Sequence, residues 1–214
     1  MMNNDLTFFT NEPGATLLDR FKSTLRGVQF FDVLVGYFRT SGFHLMHEAF
    51  ADIEKIRILV GLSVDRQTFD VLETNRHQQS FDFQSSQRLK QQFADGVTKE
   101  MEYSEDSHAT EVGVRKFLEL LQSGRLELKA HPSQNIHAKV YISRFAPPAM
   151  DYGRVITGSS NFSFSGLQGQ YEFNVELKDS RDVTYALEKF EALWAEAIDI
   201  SEAYVDTIHQ RTWL

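Results

Sequence analysis

The stretch IHAKVYI, residues 136–142, is followed closely by VITGSSNFSFSG, residues 155–166. The first has the β-branched and aromatic character of a buried strand, yet it places His137 and Lys139 two residues apart. In a strand, residues i and i+2 share a face and stand about 7 Å apart. An imidazole beside an ammonium suits an anionic ligand: the lysine supplies positive charge, and the histidine can attack or carry a proton. The second stretch reads as a strand ending in a turn. There Gly158 allows close approach of a ligand, and Ser159, Ser160 and Asn161 add short donors beside the amides of an anion nest. If the two strands are neighbours, the turn lies beside His137 and Lys139. Further on, Glu172 opens QYEFNVEL, where a carboxylate can hold an imidazole in one tautomer.

Outward from these stretches the chain alternates strand and helix. Residues 28–38, VQFFDVLVGYF, and 55–62, KIRILVGL, read as buried strands; 125–131, 153–159 and 170–177 read as three more. Helical periodicity covers 15–27, about 42–55, 65–76, 114–124 and the C-terminal region from 180. Residues 76–110, with sparse apolar positions such as Leu89, Phe93 and Met101, read as one or two solvent-facing helices. Strands interleaved with helices give an α/β class, an α/β/α sandwich with a mixed, largely parallel sheet. No repeat or linker divides residues 1–214, so a single domain is expected. The closing Trp213-Leu214 either packs on the core or marks the N-terminal part of a longer protein.

Composition narrows the chemistry. The 214 residues include 18 Phe and no Cys, with 42% hydrophobic and 24% charged residues, which is ample for a core. Without cysteine there is no disulfide, thiolate metal site or cysteine nucleophile. The net charge of −8 argues against a domain that coats nucleic acid, so any such contact is local. The start has no signal-peptide pattern, and no apolar run reaches the ~18 residues of a membrane span. A cytoplasmic protein with no membrane partner is the expectation. No zinc-protease, EF-hand, Walker or dinucleotide pattern occurs, so neither metal nor cofactor is expected.

His137-Ala138-Lys139, followed by Gly158-Ser159-Ser160-Asn161 and then Glu172, resembles the H-x-K…G-S-x-N signature of the phospholipase D superfamily. The resemblance spans about residues 136–177. It implies phosphodiester cleavage without a metal through a phosphohistidine. His137 would be nucleophile or acid/base, Lys139, Asn161 and Ser159 the phosphate cradle, and Glu172 the group that orients a histidine. Two features depart from the pattern. Arg144 stands where many members have an aspartate. No other histidine (His44, His47, His77, His108, His131 or His209) has a lysine two residues on. A single motif is half an active site, so the resemblance implies a homodimer with two His137 side chains facing each other. The opening, residues 5–46, resembles a module found at the start of bacterial helicase-type proteins, which implies a downstream helicase domain.

The expected activity is therefore a DNA nuclease. The alternatives are a phosphate- or nucleic-acid-binding dimerisation module and a phospholipid phosphodiesterase. Tyr37, Phe38 and Arg39 either line a nucleic-acid groove or, as the preferred reading, are core aromatics and one surface arginine. Ser160 reads as a plain turn residue, His131 as part of a turn, and Arg115 and Lys116 as a solvated helix face.

Overall fold

A computed structural model describes residues 7–61, 87, 90–91, 108–131, 136–147, 151–202 and 205–206. The helix expected at 65–76, most of the region 76–110 with Leu89, Phe93 and Met101, and Trp213-Leu214 lie outside the described residues.

The strands are β1 (Phe8–Thr10), β2 (Val28–Val35), β3 (Lys55–Gly61), β4 (Leu126–His131), β5 (Lys139–Phe145), β6 (Gly153–Gly158), β7 (Phe173–Leu177) and β8 (Ile198–Asp199). The helices are α1 (Leu17–Thr24), α2 (Thr40–Met46), α3 (His108–Gln122) and α4 (Ser180–Glu196), with a π-helical turn at Ser165–Gly169. All eight strands form one sheet in the order β1-β7-β6-β5-β2-β3-β4-β8.

The α/β class and the mixed sheet are as expected, but the sheet is not largely parallel. Only β2–β3 and β3–β4 pair in parallel; the other five pairings are antiparallel. Parallel neighbours need a long crossover, which the β2–β3 and β3–β4 connections provide; the long connections leaving β1 and β7 lead to strands that are not their neighbours. By contrast, β5, β6 and β7 follow one another as an antiparallel meander. The short edge strands β1 and β8 have too few residues to show a period, and the sequence reading missed both.

Side chains of β2 alternate between two cores. Phe31, Val33 and Val35 pack with Phe21, Phe43, Phe50, Phe117 and Phe162 on the face carrying α1, α2 and α3. Leu34 packs with Leu59, Ile142, Phe190 and Trp194 on the α4 face. Helix α1 begins where Thr16 and Asp19 cap each other reciprocally, the Thr16 hydroxyl accepting from the Asp19 N–H at 3.1 Å.

Asp32 also faces α4 and is 1% exposed. It accepts from Arg57 Nε at 2.6 Å and from Arg144 Nη2 at 2.9 Å. Arg57 in turn reaches Glu191 of α4 at 2.7 Å. Thus Arg144, which stands where the resembled signature often has an aspartate, answers an aspartate on the neighbouring strand. Removing the charge of Asp32 leaves two guanidiniums facing a neutral group. Asp32→Asn is expected to lower stability by about 2–3 kcal/mol, less than for a fully buried pair because both arginines retain solvent contact. Urea unfolding monitored by circular dichroism measures it, and an unchanged midpoint would refute it.

Candidate active site

Strands β2, β3, β4 and β6 run in the same direction, so their C-terminal ends share one edge of the sheet with the starts of β5 and β7. At β2 the parallel half of the sheet meets the antiparallel half. Crevices at such a switch are natural ligand sites. All the candidate residues collect along this edge.

β5 begins at Lys139, not at Ile136 as expected. Its neighbour β2 ends at Val35, which pairs with Lys139, so His137 has no ladder partner there. His137 is accordingly exposed while Lys139 is buried. The two side chains still meet. Lys139 Nζ donates to the His137 carbonyl at 2.9 Å and lies 3.1 Å from Nδ1 and 3.2 Å from Nε2. The in-plane lone-pair directions of the two ring nitrogens diverge, so a nearly equidistant amine cannot be aligned with both. The ammonium is therefore held against the imidazole as a local charge.

Two glycines make room for this arrangement. A Cβ on Gly61, at the end of β3, would stand 2.4 Å from the Ile136 carbonyl oxygen. Only glycine lets residues 136–137 cross the ends of the parallel strands so closely. A Cβ on Gly166 would stand 2.2 Å from the Asn161 carbonyl oxygen, so the π-helical turn supports Asn161 from beneath.

The Gly158–Asn161 turn is fixed from both sides. Ser159 donates its N–H to the Phe173 carbonyl at 3.2 Å, and its hydroxyl oxygen accepts from the Phe173 N–H at 3.1 Å. The same hydroxyl donates a short hydrogen bond to the Glu172 carboxylate. Ser160, a turn residue as read, is buried: its hydroxyl accepts from Asn174 Nδ2 at 3.0 Å and its carbonyl from the Tyr141 hydroxyl at 2.8 Å. Asn161 is buried, and its Oδ1 accepts a long 3.5 Å bond from the Tyr37 N–H. Within this chain the Glu172 carboxylate thus serves the turn, where the sequence reading assigned it to a histidine. The Thr157 hydroxyl, which the sequence reading did not single out, donates to the Lys139 carbonyl at 2.9 Å and ties β6 to the start of β5.

Burial, opposed by the nearby Glu172 carboxylate, lowers the Lys139 pKa. Burial first, then the negative charge of Glu172, pushes the Tyr141 phenol well above its ordinary range, so it stays a neutral donor. His131 ends β4 with Nε2 3.7 Å from Glu196, and His44 lies in α2 against Gly113. Arg115 and Lys116 are exposed on α3, as read. Among the described residues no group of three His, Cys, Asp or Glu is placed to hold a metal ion.

Residues 29–194 match the family described as "Cardiolipin synthase, PLD-like domain". Among solved structures, the chain resembles a phospholipase D family member, Nuc, from Salmonella typhimurium, with 14% identity and a TM-score of 0.50. That match covers 90% of this chain and 95% of Nuc. It also resembles phosphatidylserine synthase of Haemophilus influenzae Rd KW20, with 12% identity and a TM-score of 0.50, over 91% of this chain and 39% of that one. At these identities the likeness is one of fold. Among curated proteins no sequence matches.

The lowered Lys139 pKa gives a direct test. In a titration followed by NMR of labelled lysines, Lys139 should lose its proton below the ordinary value of 10.5. Titration at or above that value would mean that burial does not dominate its environment.

Proposed function

The chain belongs to the PLD-like domain family, and from that membership we propose a metal-independent phosphodiesterase that cleaves DNA as a homodimer. The observation that carries the reading is the Lys139 ammonium lying against the His137 ring, on the sheet edge where the Ser159–Asn161 turn also lies.

An exposed imidazole next to a positive charge can approach an anionic diester that a lone imidazole would attract weakly. His137 attacks phosphorus, and the P–O bond to the leaving group breaks as the P–N bond forms. Lys139, the Asn161 amide and the Ser159 turn stabilise the charge building on the non-bridging oxygens. Water then attacks phosphorus as the P–N bond breaks and His137 is released, the water's proton passing to the group that protonated the leaving oxygen. The leaving oxygen needs a proton donor, and no second H-x-K pair exists in this chain. We assign that role to His137 of a second copy, brought face to face by a two-fold axis. Glu172 would then orient an imidazole across the interface, giving up or sharing its bond to Ser159. A downstream helicase domain would add affinity that a chain of net charge −8 lacks.

The test combines cleavage and mass. The purified chain should cleave single- or double-stranded DNA in EDTA at the same rate as without it. Its mass by light scattering should be twice 24.7 kDa. His137→Ala should abolish cleavage, and Asn161→Ala should lower the rate about 100-fold, as loss of one oxyanion donor does. A dimer that binds DNA without cutting it would instead support a binding and dimerisation module. Product from phosphatidylcholine vesicles but not from DNA would support a lipid phosphodiesterase.

A further inference from the structure

The sequence reading preferred Tyr37, Phe38 and Arg39 as core aromatics with a surface arginine. The structure divides them differently. Phe38 is buried and stacks on Phe162 at 5.4 Å and on Phe117 at 5.5 Å between ring centroids. Tyr37 is 45% exposed, and the exposed Arg39 places its guanidinium 5.6 Å from the Tyr37 ring centroid. Side chains alternate along an extended segment, so burying Phe38 turns its neighbours Tyr37 and Arg39 outward together.

Their position is fixed relative to the candidate site. The Tyr37 N–H reaches Asn161 Oδ1, and the Arg39 N–H donates to the Phe162 carbonyl at 3.0 Å. Phe38 and Phe162 form a parallel β-bridge between these two bonds. The Tyr37–Arg39 segment is thus laced onto the segment bearing Asn161, with Phe38 as its buried anchor. Tyr37 follows Gly36, which lies at the same sheet edge as His137.

Resting on the phosphodiesterase reading above, we infer that Tyr37 and Arg39 form a platform for an unpaired base beside the scissile phosphate. The site would then select single-stranded nucleic acid. Bases in a duplex are already stacked and offer only their edges to a side chain, whereas an unpaired base offers a free face. Aromatic stacking tolerates any base, and a stacked guanidinium adds a cation for the neighbouring phosphate. A chain of net charge −8 gains little from broad phosphate neutralisation, which makes stacking the more effective source of affinity.

The test measures binding by fluorescence anisotropy in the full chain carrying His137→Ala, which removes turnover. Three labelled probes of about twelve nucleotides are compared: oligothymidylate, an abasic strand of equal length, and a duplex. Oligothymidylate should bind more tightly than the other two. Adding Tyr37→Ala should weaken it about tenfold relative to the abasic strand, while Tyr37→Phe should retain the preference. Arg39→Ala should weaken oligothymidylate and the abasic strand together. Tyr37→Ala that weakens both strands equally, or neither, overturns the inference. So does a Tyr37→Ala variant whose mass falls while its affinity for oligothymidylate holds, since Tyr37 would then belong to contact between copies. The nuclease reading is scored separately by cleavage with unmodified His137. Cleavage that persists with no base preference removes the platform alone, whereas absence of both cleavage and binding removes the two together.

Discussion

The pairing of Val35 with Lys139 governs the candidate site. It ends β2 and starts β5 at one point, burying the lysine backbone in the ladder and leaving His137 outside it. Were the register moved by one residue, the lysine would turn to the opposite face of the sheet, since side chains alternate with a period of two. The strand β2 is held in that register by packing on both faces, with Phe31, Val33 and Val35 on one side and Leu34 on the other. The position of a surface imidazole is therefore set by the burial of four apolar side chains in the strand next to it.

The same edge carries an unusual concentration of buried polar groups. Lys139, Ser160, Asn161 and Asn174 are all buried here. Burying such groups is costly unless each finds a partner. Here the Tyr141 hydroxyl, the Asn174 amide and the Phe173 backbone supply partners for the turn. What the turn gains is rigidity: Ser159 and Asn161 are tied to β7 and to Tyr37 respectively, before any ligand arrives. Preorganised donors of this kind stabilise developing charge without reorganising. Away from this edge, Asp32 joins β2, β3 and β5 through Arg57 and Arg144, and Glu176 forms an ion pair with Arg20 at 3.1 Å and accepts a hydrogen bond from Arg154 at 3.0 Å. These networks stiffen the sheet that the site stands on.

Where the sequence reading and the structure agree, a local signal was present. The runs read as strands at 28–38 and 55–62 are rich in apolar residues, and strands occupy Val28–Val35 and Lys55–Gly61 within them. The expected turn at Gly158–Asn161 follows a strand as read. Where they part, the signal was not local. The edge strands β1 and β8 exist only because β7 and β4 offer open ladders to pair with. The start of β5 moved because its partner stopped. The sheet became mainly antiparallel because strand direction depends on the path of the connections, which a residue pattern does not record. Glu172 could be found by spacing, but its bond to Ser159 depends on how β6 and β7 meet.

The sequence by itself determined which residues are available for chemistry: one His137-Lys139 pair, one Gly-Ser-Ser-Asn turn, one Glu172, and no cysteine. It determined the strand-forming runs as well, because burial needs apolar side chains whatever the topology. Tertiary structure alone decided that His137 is exposed and Lys139 buried, that Arg144 answers Asp32, and that Tyr37 and Arg39 face outward beside Asn161. Each of those outcomes depends on pairing or packing between segments distant in the chain. Side-chain placement of that kind follows from register and packing, to which every strand of the sheet contributes at once.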